Sequence, residues 1–524
     1  MKNYLSYFQE TTLSHWEDVA VSDYGKRDLS YKELAFLING HHKVFSDYGL
    51  EKGDKIAICG SNSISWAAAF LAAASYGLVA VPVLSDFTPQ SVTKLCSHSE
   101  SVIIFTEKRI FDGLDLSGLP VLQAVFSLEN GSCLWSASNP EPIVPQAIDP
   151  TEVNFVRSTL DDLAVINYTS GTTGDPKGVM LTVGNISANV EFSLAHMPVS
   201  QGDKSISILP LAHMFGLCIE LLYPVCGGVH VHFLGKAPGP TTLMKAFREV
   251  RPYILVTVPL VLEKIISKSV FPVLEKPGVN FLTHIPLLRR IVYRNVGKKL
   301  SEAFGGRLRS ITVGGASLNA RVEQVLRRSG MPYTVGYGMT ECAPLVTYED
   351  WRSFKIGSCG RALEGCDEVR IDCGSGIVGE VQVKGSNVML GYYKNEEATS
   401  AAFTPDGWLK TGDLGFLDRE GFLYLRGRNK CMILSSNGQN IYPEEIESLL
   451  NGQPEIEESL VVSRKGKLIA LIVPAKDWVS DSLQTLLDRV NRMLPGYSRI
   501  SSLEKMESPF EHTPKHSIKR TLYK

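Results

Sequence analysis

Short apolar runs alternate with helical patterns along most of the chain. The runs 55–59, 102–105 and 163–167 are almost entirely apolar, which is typical of strands buried on both faces of a largely parallel sheet. The stretch 30–45 places apolar residues at the three- and four-residue spacing of an amphipathic helix. This alternation predicts an α/β fold.

One long apolar stretch fits either a membrane segment or a protein core. Residues 56–85 contain no charged side chain, and their central part is about long enough to span a bilayer. Gly77 and Pro82 favour a buried alanine-rich helix that ends at Gly77 and is followed by a short valine-rich strand. We therefore predict a core helix and strand, with no integral membrane segment. The first ten residues lack a secretory pattern, so the expected location is cytoplasmic.

The last third of the chain has a different pattern. From residue 357 onward, short strands with frequent glycines predict a small β-rich subdomain. The patterns over 441–450, 467–473 and 482–494 then predict a helix, a strand and a second helix, enough for a compact α+β domain. The Pro- and Ser-rich stretch 131–150 and the stretch 236–240 predict surface loops.

Composition and charge exclude several classes of protein. Hydrophobic residues make up 44% and charged residues 21% of the chain, which is an ordinary globular mixture and not a disordered one. The net charge of −2 provides no broad basic field for nucleic acid. The 10 cysteines form no Cys-x-x-Cys pair, so a metal or disulfide framework is disfavoured and reduced, apolar packing is expected.

A loop rich in hydroxyl groups and glycines follows the apolar run 163–167. Its sequence is Asn167-Tyr-Thr-Ser-Gly-Thr-Thr-Gly-Asp-Pro-Lys-Gly-Val179. Glycines let backbone N–H groups approach an anion, hydroxyls add donors, and the lysine adds charge. The spacing is not that of a Walker A loop, because Pro176 stands where a glycine is required and Gly178 follows the lysine. The loop therefore predicts a phosphate site of another kind, with a polar surface turn as the alternative.

Four further motifs follow in order along the chain. They are Gly314-Gly-Ala316, Gly336-Tyr-Gly-Met-Thr-Glu341, Trp408-Leu-Lys-Thr-Gly-Asp-Leu-Gly415 and Gly427-Arg-Asn-Lys430. Together with the loop they resemble the motifs of the adenylate-forming (AMP-binding) superfamily, of the acyl-CoA synthetase or long-chain fatty acid–CoA ligase type. The resemblance extends from about residue 168 into the C-terminal region.

The resemblance implies two half-reactions and their cofactors. A carboxylate attacks the α-phosphorus of ATP and releases pyrophosphate, and a thiol then attacks the acyl adenylate. ATP, Mg²⁺ and coenzyme A are the expected cofactors. The implied fold has a large N-terminal domain (1–426) with two α/β sheets plus the β-rich subdomain, a hinge (427–430) at Lys430, and a small mobile C-terminal domain (431–524).

The resemblance also assigns roles to single residues, and each role is chemically reasonable. Tyr337 offers a flat face for adenine, Thr340 a phosphate contact, and the carboxylate of Glu341 a ligand for Mg²⁺. Asp413 can accept both ribose hydroxyl hydrogens, with Arg428 nearby. The implied nucleotide and thiol contacts are Thr169, Ser170, Gly171, Thr172, Thr173, Gly174, Gly314, Gly315, Ala316, Gly336, Tyr337, Gly338, Met339, Asp413, Arg428 and Gly438. The implied catalytic residues are Lys177, Thr340, Glu341 and His213, and Lys515 is a further catalytic candidate that the resemblance itself does not assign.

The segment 209–219 resembles the start of the family's acyl pocket. Amino-acid-activating relatives place an aspartate just after this point, whereas this chain has Met214, Phe215 and Leu217 and no carboxylate before Glu220. Apolar neighbours suit an alkyl chain, so a medium- or long-chain fatty acid with coenzyme A as acceptor is predicted. His213 lines the carboxylate end or is a core histidine. A carrier-protein thiol is the alternative acceptor, and peripheral membrane contact stays open.

The C-terminus departs from the family pattern. Relatives carry a lysine that bridges the substrate carboxylate and the α-phosphate, and the aligned position here is Ser517. A serine supplies no positive charge. Three explanations remain: Lys515 reaches the site through a shifted loop, Lys519 does so, or the protein is a catalytically weakened acyl- and nucleotide-binding relative.

Overall fold

The computed structural model describes residues 1–138, 141–169, 176–197, 199–235, 239–374, 376–434, 440–464, 467–475, 483–512 and 518–523. The strands are β1 (Val19–Asp23), β2 (Arg27–Ser30), β3 (Lys55–Cys59), β4 (Val79–Val83), β5 (Ser101–Thr106), β6 (Ala124–Ser127), β7 (Cys133–Ser136), β8 (Leu163–Thr169), β9 (Lys177–Thr182), β10 (Lys204–Ser207), β11 (His230–Phe233), β12 (Ile254–Thr257), β13 (Ser310–Val313), β14 (Tyr333–Val335), β15 (Tyr337–Gly338), β16 (Leu345–Tyr348), β17 (Arg361–Ala362), β18 (Asp367–Ile371), β19 (Gly379–Gly385), β20 (Gly391–Tyr392), β21 (Leu409–Leu417), β22 (Leu423–Arg428), β23 (Ile433–Leu434), β24 (Asn440–Ile441), β25 (Ile456–Arg464), β26 (Lys467–Pro474) and β27 (Ser502–Lys505).

The helices are α1 (Tyr4–Ser14), α2 (Tyr31–Asp47), α3 (Ile64–Tyr76), α4 (Pro89–Ser99), α5 (Lys108–Phe111), α6 (Val183–His196), α7 (Tyr223–Cys226), α8 (Pro240–Val250), α9 (Pro259–Ser269), α10 (Phe271–Leu274), α11 (Pro277–His284), α12 (Pro286–Ala303), α13 (Ala320–Ser329), α14 (Glu396–Ala402), α15 (Pro443–Asn451) and α16 (Leu483–Met493). Gly216–Leu222 is a π-helix. Short 3₁₀ turns cover Leu116–Gly118, Pro150–Glu152, Thr340–Cys342, Asn429–Cys431, Gly496–Ser498 and Arg520–Tyr523.

Two large sheets form the core of the chain's first two thirds. One has eight strands in the order β20-β9-β8-β4-β3-β5-β6-β7, and the other has seven in the order β14-β13-β12-β10-β11-β1-β2. Strands β8, β4, β3, β5 and β6 run parallel, as do β14, β13, β12, β10, β11 and β1. The apolar runs 55–59, 102–105 and 163–167 are β3, β5 and most of β8, so the prediction of buried, largely parallel strands is confirmed.

The charge-free stretch 56–85 lies in the core. Helix α3 is buried along almost its whole length and ends at Gly77, whose φ of +93° places it in the left-handed region that favours glycine. Every residue of β4, which follows, is buried. The predicted core helix and strand are confirmed. Within the described residues, no helix is both long and apolar enough to cross a membrane.

Smaller sheets form the last third. Strands β18, β19, β21 and β22 make an antiparallel four-stranded sheet, and β25, β26 and β27 make a separate three-stranded one. Helices α15 and α16 contribute Ile446, Leu450 and Val490 to a core cluster shared with that last sheet. The predicted β-rich region and the predicted helix, strand and helix of the C-terminal α+β region are thus present.

The prediction of a surface loop over 131–150 is partly wrong. Cys133–Ser136 forms β7, which pairs antiparallel with β6 at the edge of the eight-stranded sheet. All four residues of β7 are only half-buried. A short edge strand has one hydrogen-bonded neighbour and needs little apolar surface, so its composition resembles that of a loop. In the second predicted loop, residues 236–238 lie outside the described residues.

Candidate active site

The carboxyl ends of adjacent parallel strands bring two of the motifs together. Val313, which ends β13, pairs in register with Thr257 of β12 on one side and Val335 of β14 on the other. Gly314 and Gly336 therefore leave the sheet at the same edge, where ligands of open α/β sheets commonly bind. The Gly336 N–H donates to the Val313 carbonyl at 2.9 Å.

The glycines of these motifs allow close packing. A Cβ at Gly314 would lie 2.8 Å from Cζ of the Phe215 ring, so the exposed turn Gly315-Ala316, predicted to line adenine, starts beside the segment 209–219 that is predicted to form the acyl pocket. A Cβ at Gly338 would lie 2.2 Å from the Pro344 carbonyl oxygen. The Met339 N–H donates to that same carbonyl at 2.8 Å, which fixes the segment that carries Thr340 and Glu341.

Lys177, Tyr392 and Glu341 form what we call the lysine cluster. Lys177 starts β9 and pairs with Thr169, the last residue of β8. Its Nζ lies 4.9 Å from the centre of the Tyr392 ring, and the Tyr392 hydroxyl donates to Glu341 Oε1 at 3.0 Å. The sequence interpretation missed Tyr392. The pairing of β20 with β9 places it here, and its own sequence carries no comparable signal.

Tyr337, Asp413 and Arg428 form a second group, the aspartate cluster. The Tyr337 hydroxyl donates to Asp413 Oδ2 at 2.7 Å, and Arg428 Nε lies 3.2 Å from Asp413 Oδ1. Burial raises the pKa of the Asp413 carboxyl above its usual range, and Arg428 opposes that shift. Because Asp413 and Arg428 are paired residues of β21 and β22, the structure brings three predicted nucleotide contacts together.

Buried amides anchor the segment around His213. Asn167 Nδ2 donates to the Ala212 carbonyl at 2.8 Å, and Asn62 Oδ1 accepts from the Leu211 N–H at 2.9 Å. His213 is half-buried, and its carbonyl accepts from the Leu217 N–H at 2.8 Å, just as the fully buried π-helix begins. Sequence reasoning singled out neither amide, since a buried Asn has no pattern of its own.

The first carboxylate after the pocket segment, Glu220, is turned toward the protein backbone. Glu220 is 2% exposed. Its Oε2 accepts from the Ser207 hydroxyl at 2.9 Å and from the N–H groups of Ile208 at 3.1 Å and Leu209 at 3.0 Å. These contacts hold the stretch that leads from β10 into the pocket segment.

The variant Glu220→Gln is expected to flatten the dependence of stability on pH. Burial raises the pKa of Glu220 to about 8, whereas a carboxyl in the unfolded chain titrates near about 4.3. Between these values the folded protein holds a proton that the unfolded chain has lost, so wild-type stability falls as the pH rises. The slope is at most about 1.4 kcal/mol per pH unit.

Thermal midpoints of wild type and Glu220→Gln at about pH 5.5 and about pH 8 measure this effect, with exposed Glu364→Gln as control. The midpoint of Glu220→Gln should rise relative to wild type at the higher pH. Parallel profiles for the two proteins would show that Glu220 does not titrate differently on folding.

Several predicted contacts lie outside the described residues. These are Ser170, Gly171, Thr172, Thr173, Gly174, Gly438 and Lys515, and Ser517, which replaces the family's lysine, also lies outside them. Lys430 is exposed within the 3₁₀ turn Asn429–Cys431. Lys519 is described, and its Nζ lies 3.2 Å from Glu511 Oε2.

The C-terminal unit docks beside the aspartate cluster. Arg426 of β22 donates to Glu445 of α15 at 2.7 Å, and Asn319 Nδ2 donates to the Ser448 carbonyl at 3.0 Å. Helix α15 therefore contacts both the end of the four-stranded sheet and the start of α13.

Family models match both parts of the chain. One, described as AMP-binding enzyme, matches residues 8–393, and a second, described as AMP-binding enzyme C-terminal domain, matches residues 430–524. The chain belongs to the AMP-binding enzyme family. The predicted membership in the adenylate-forming superfamily is confirmed.

Two curated proteins illustrate what this AMP-binding enzyme is similar to. Long-chain-fatty-acid–CoA ligase FadD15 of Mycobacterium bovis is 30% identical over 484 residues, covering 85% of this chain and 77% of the relative. Indoleacetate–CoA ligase of Aromatoleum aromaticum is 30% identical over 494 residues, covering 89% and 88%. The predicted class, an acid–thiol ligase of the acyl-CoA synthetase type, is confirmed.

Solved structures share the fold of this AMP-binding enzyme. ATP-bound MatB from Rhodopseudomonas palustris superposes with a TM-score of 0.80 at 22% identity, over 99% of this chain and 97% of that one. The o-succinylbenzoate coenzyme A synthetase of Bacillus subtilis, in complex with ATP and a magnesium ion, gives 0.78 at 25% identity over 99% of each. The predicted α/β fold with large N-terminal and smaller C-terminal domains is confirmed.

Proposed function

We propose that the protein activates a medium- or long-chain fatty acid with ATP to an acyl adenylate, releasing pyrophosphate, and transfers the acyl group to coenzyme A. The observation that carries the choice of acid is the position of Glu220. Its carboxylate is occupied by Ser207, Ile208 and Leu209, so it is not available to hold a substrate ammonium group. The neighbouring side chains Met214 and Leu217 are apolar and buried, which favours an alkyl chain.

The two clusters support the nucleotide half of this proposal. Thr340 and Glu341 lie in one segment with Tyr337, so the lysine and aspartate clusters are joined by a few residues of backbone. Mg²⁺ in nucleotide sites is commonly held by one or two carboxylates together with phosphate oxygens, and Glu341 fits as such a ligand. Lys177, beside Tyr392, supplies positive charge where a polyphosphate would lie. His213 remains the proposed residue at the carboxylate end.

Coenzyme A is the proposed acceptor because FadD15 and indoleacetate–CoA ligase are both named CoA ligases. A carrier-protein thiol is the alternative. The proposed thiol-side residue, Gly438, lies outside the described residues. All 10 cysteines are free, which suits a reducing compartment, and we propose a cytoplasmic location.

We also propose that residues 427–430 act as a hinge at Lys430, between a domain over 1–426 and a mobile domain over 431–524. The contacts Arg426 to Glu445 and Asn319 to Ser448 would then break and re-form between the half-reactions. Contacts of this kind between charged and polar surface groups suit a movable interface, because domain interfaces within a chain are more polar than permanent ones.

The assay that tests the proposal is acid-dependent exchange of labelled pyrophosphate into ATP with Mg²⁺. A panel from acetate to palmitate, with amino and aryl acids as controls, isolates adenylation and needs no thiol. Exchange restricted to alkyl acids is the expected result. Exchange with an amino or aryl acid alone would overturn the choice of substrate.

The second candidate function, a weakened acyl- and nucleotide-binding protein, is favoured by Ser517 at the position of the family's lysine. This second function would be supported if the protein binds ATP but shows no pyrophosphate exchange with any acid of the panel. If exchange occurs, Lys515→Ala and Lys519→Ala distinguish the remaining explanations: the lysine that reaches the site is the one whose removal lowers exchange.

A further inference from the structure

A surface layer of short helices carries large apolar side chains that the fold leaves uncovered. No residue of α10, α11 or the first half of α12, residues 271–292, is buried. Phe281 is 67%, Leu287 80% and Ile291 57% exposed. Single exposed apolar residues are ordinary, whereas several in one continuous stretch mark an interaction site.

The packing of α12 fixes which side faces outward. Its second half buries Tyr293, Val296 and Leu300. Gly297 lies so close to α13 that a Cβ there would be 2.0 Å from the Ser329 carbonyl oxygen. Leu287, Ile291, Arg294 and Lys298 follow one another at spacings of four, three and four residues, which places them on a common stripe away from the buried one.

The same layer is basic. Residues 276–301 contain Lys276, Arg289, Arg290, Arg294, Lys298 and Lys299 and no Asp or Glu, although the whole chain has a net charge of −2. The five basic residues of α12 are exposed. None of the five forms an ion pair with a carboxylate of the described residues. The flanking Glu275 is paired with Arg321.

We propose that this face, residues 271–301, docks on the surface of a membrane that contains anionic lipid. A helical layer with lysines and arginines beside exposed Phe, Leu and Ile matches the chemistry of the interface, where apolar side chains enter the acyl boundary and cations attract acidic headgroups. A nucleic acid would leave Phe281 and Leu287 exposed. A second copy in a symmetric contact would place six positive charges against six identical ones.

The face is continuous with the candidate active site through α9. This helix starts at Pro259, two residues after β12 ends at the edge that also carries Gly314. Helix α10 follows α9 directly, because Val270 is both the last cap of α9 and the first cap of α10. The proposal concerns the docking surface and holds for any acid that the site activates.

Vesicle flotation of the full chain tests the proposal. Wild type should float with vesicles of phosphatidylcholine that contain about 30% phosphatidylglycerol, less with pure phosphatidylcholine, and less at about 0.5 M salt. Arg290→Gln/Arg294→Gln/Lys298→Gln and, separately, Leu287→Gln/Ile291→Gln should each lower the floated fraction about tenfold. The matched control is Lys26→Gln/Arg419→Gln/Arg492→Gln, which removes the same charge at exposed positions elsewhere and should float like wild type.

Three results would overturn the proposal. One is equal flotation of wild type and both α12 variants when their thermal midpoints show that all are folded. Another is equal loss in the control variant, which would indicate a general charge effect. The third is concentration-dependent dimerisation in sedimentation that Leu287→Gln/Ile291→Gln abolishes without vesicles, which would assign the face to a second copy.

Discussion

Replacing Glu341 with glutamine is expected to lower the rate of pyrophosphate exchange by about 100-fold or more at a fixed Mg²⁺ concentration. Glutamine keeps the size of the side chain and an oxygen that can accept from the Tyr392 hydroxyl, now 3.0 Å from Glu341 Oε1. The substitution removes the negative charge, and Mg²⁺, a hard cation, prefers a carboxylate oxygen as its ligand. The loss should be partly recovered at high Mg²⁺, so exchange is measured across a Mg²⁺ titration.

Tyr392→Phe is the matched control for this prediction. It deletes the hydrogen bond to Glu341 but leaves the carboxylate and the aromatic ring that lies 4.9 Å from Lys177 Nζ. Because the variant loses only one neutral hydrogen-bond donor, its rate of pyrophosphate exchange should fall by about tenfold or less. If Glu341→Gln and Tyr392→Phe reduce exchange equally and neither shifts the Mg²⁺ dependence, Glu341 positions the segment and does not bind the metal.

The parts of the site that could be predicted from the sequence are those carried by local motifs. Gly314 and Gly336 directly follow buried strands, and the register of β12, β13 and β14 brings them to one edge. The family resemblance placed Tyr337, Asp413 and Arg428 in one nucleotide site, and the three lie within hydrogen-bonding or ion-pair distance. Their roles in catalysis and binding stay predictions.

The parts that could not be predicted depend on pairing between distant segments. Tyr392 reaches Glu341 only because β20 adds to the edge of the eight-stranded sheet beside β9, and such an edge pairing has no local signal. The same holds for β7, a half-buried edge strand. Nothing in the sequence distinguishes Glu220 from an ordinary surface carboxylate. Its burial and its structural role follow from the three donors that it accepts from, the Ser207 hydroxyl and the N–H groups of Ile208 and Leu209.

Asp413→Ala is expected to weaken ATP binding by at least about 100-fold, because an ionised carboxylate that accepts two ribose hydroxyl hydrogens contributes about 1.5 to 3 kcal/mol for each bond. The substitution also removes the partner of Arg428 at 3.2 Å. Comparing ATP with 2′,3′-dideoxy-ATP by calorimetry separates these two effects. Wild type should bind ATP far more tightly than the dideoxy analogue, and Asp413→Ala should bind both equally weakly.

Tyr337→Phe provides the control for the ribose assignment. It removes the hydroxyl that donates to Asp413 Oδ2 at 2.7 Å but keeps the ring and the carboxylate, so discrimination between ATP and the dideoxy analogue should survive. Loss of discrimination in Tyr337→Phe as well would mean that the hydroxyl is needed to hold Asp413 in place. Full discrimination by Asp413→Ala would place the ribose contact elsewhere, because a side chain without polar atoms cannot tell the two nucleotides apart.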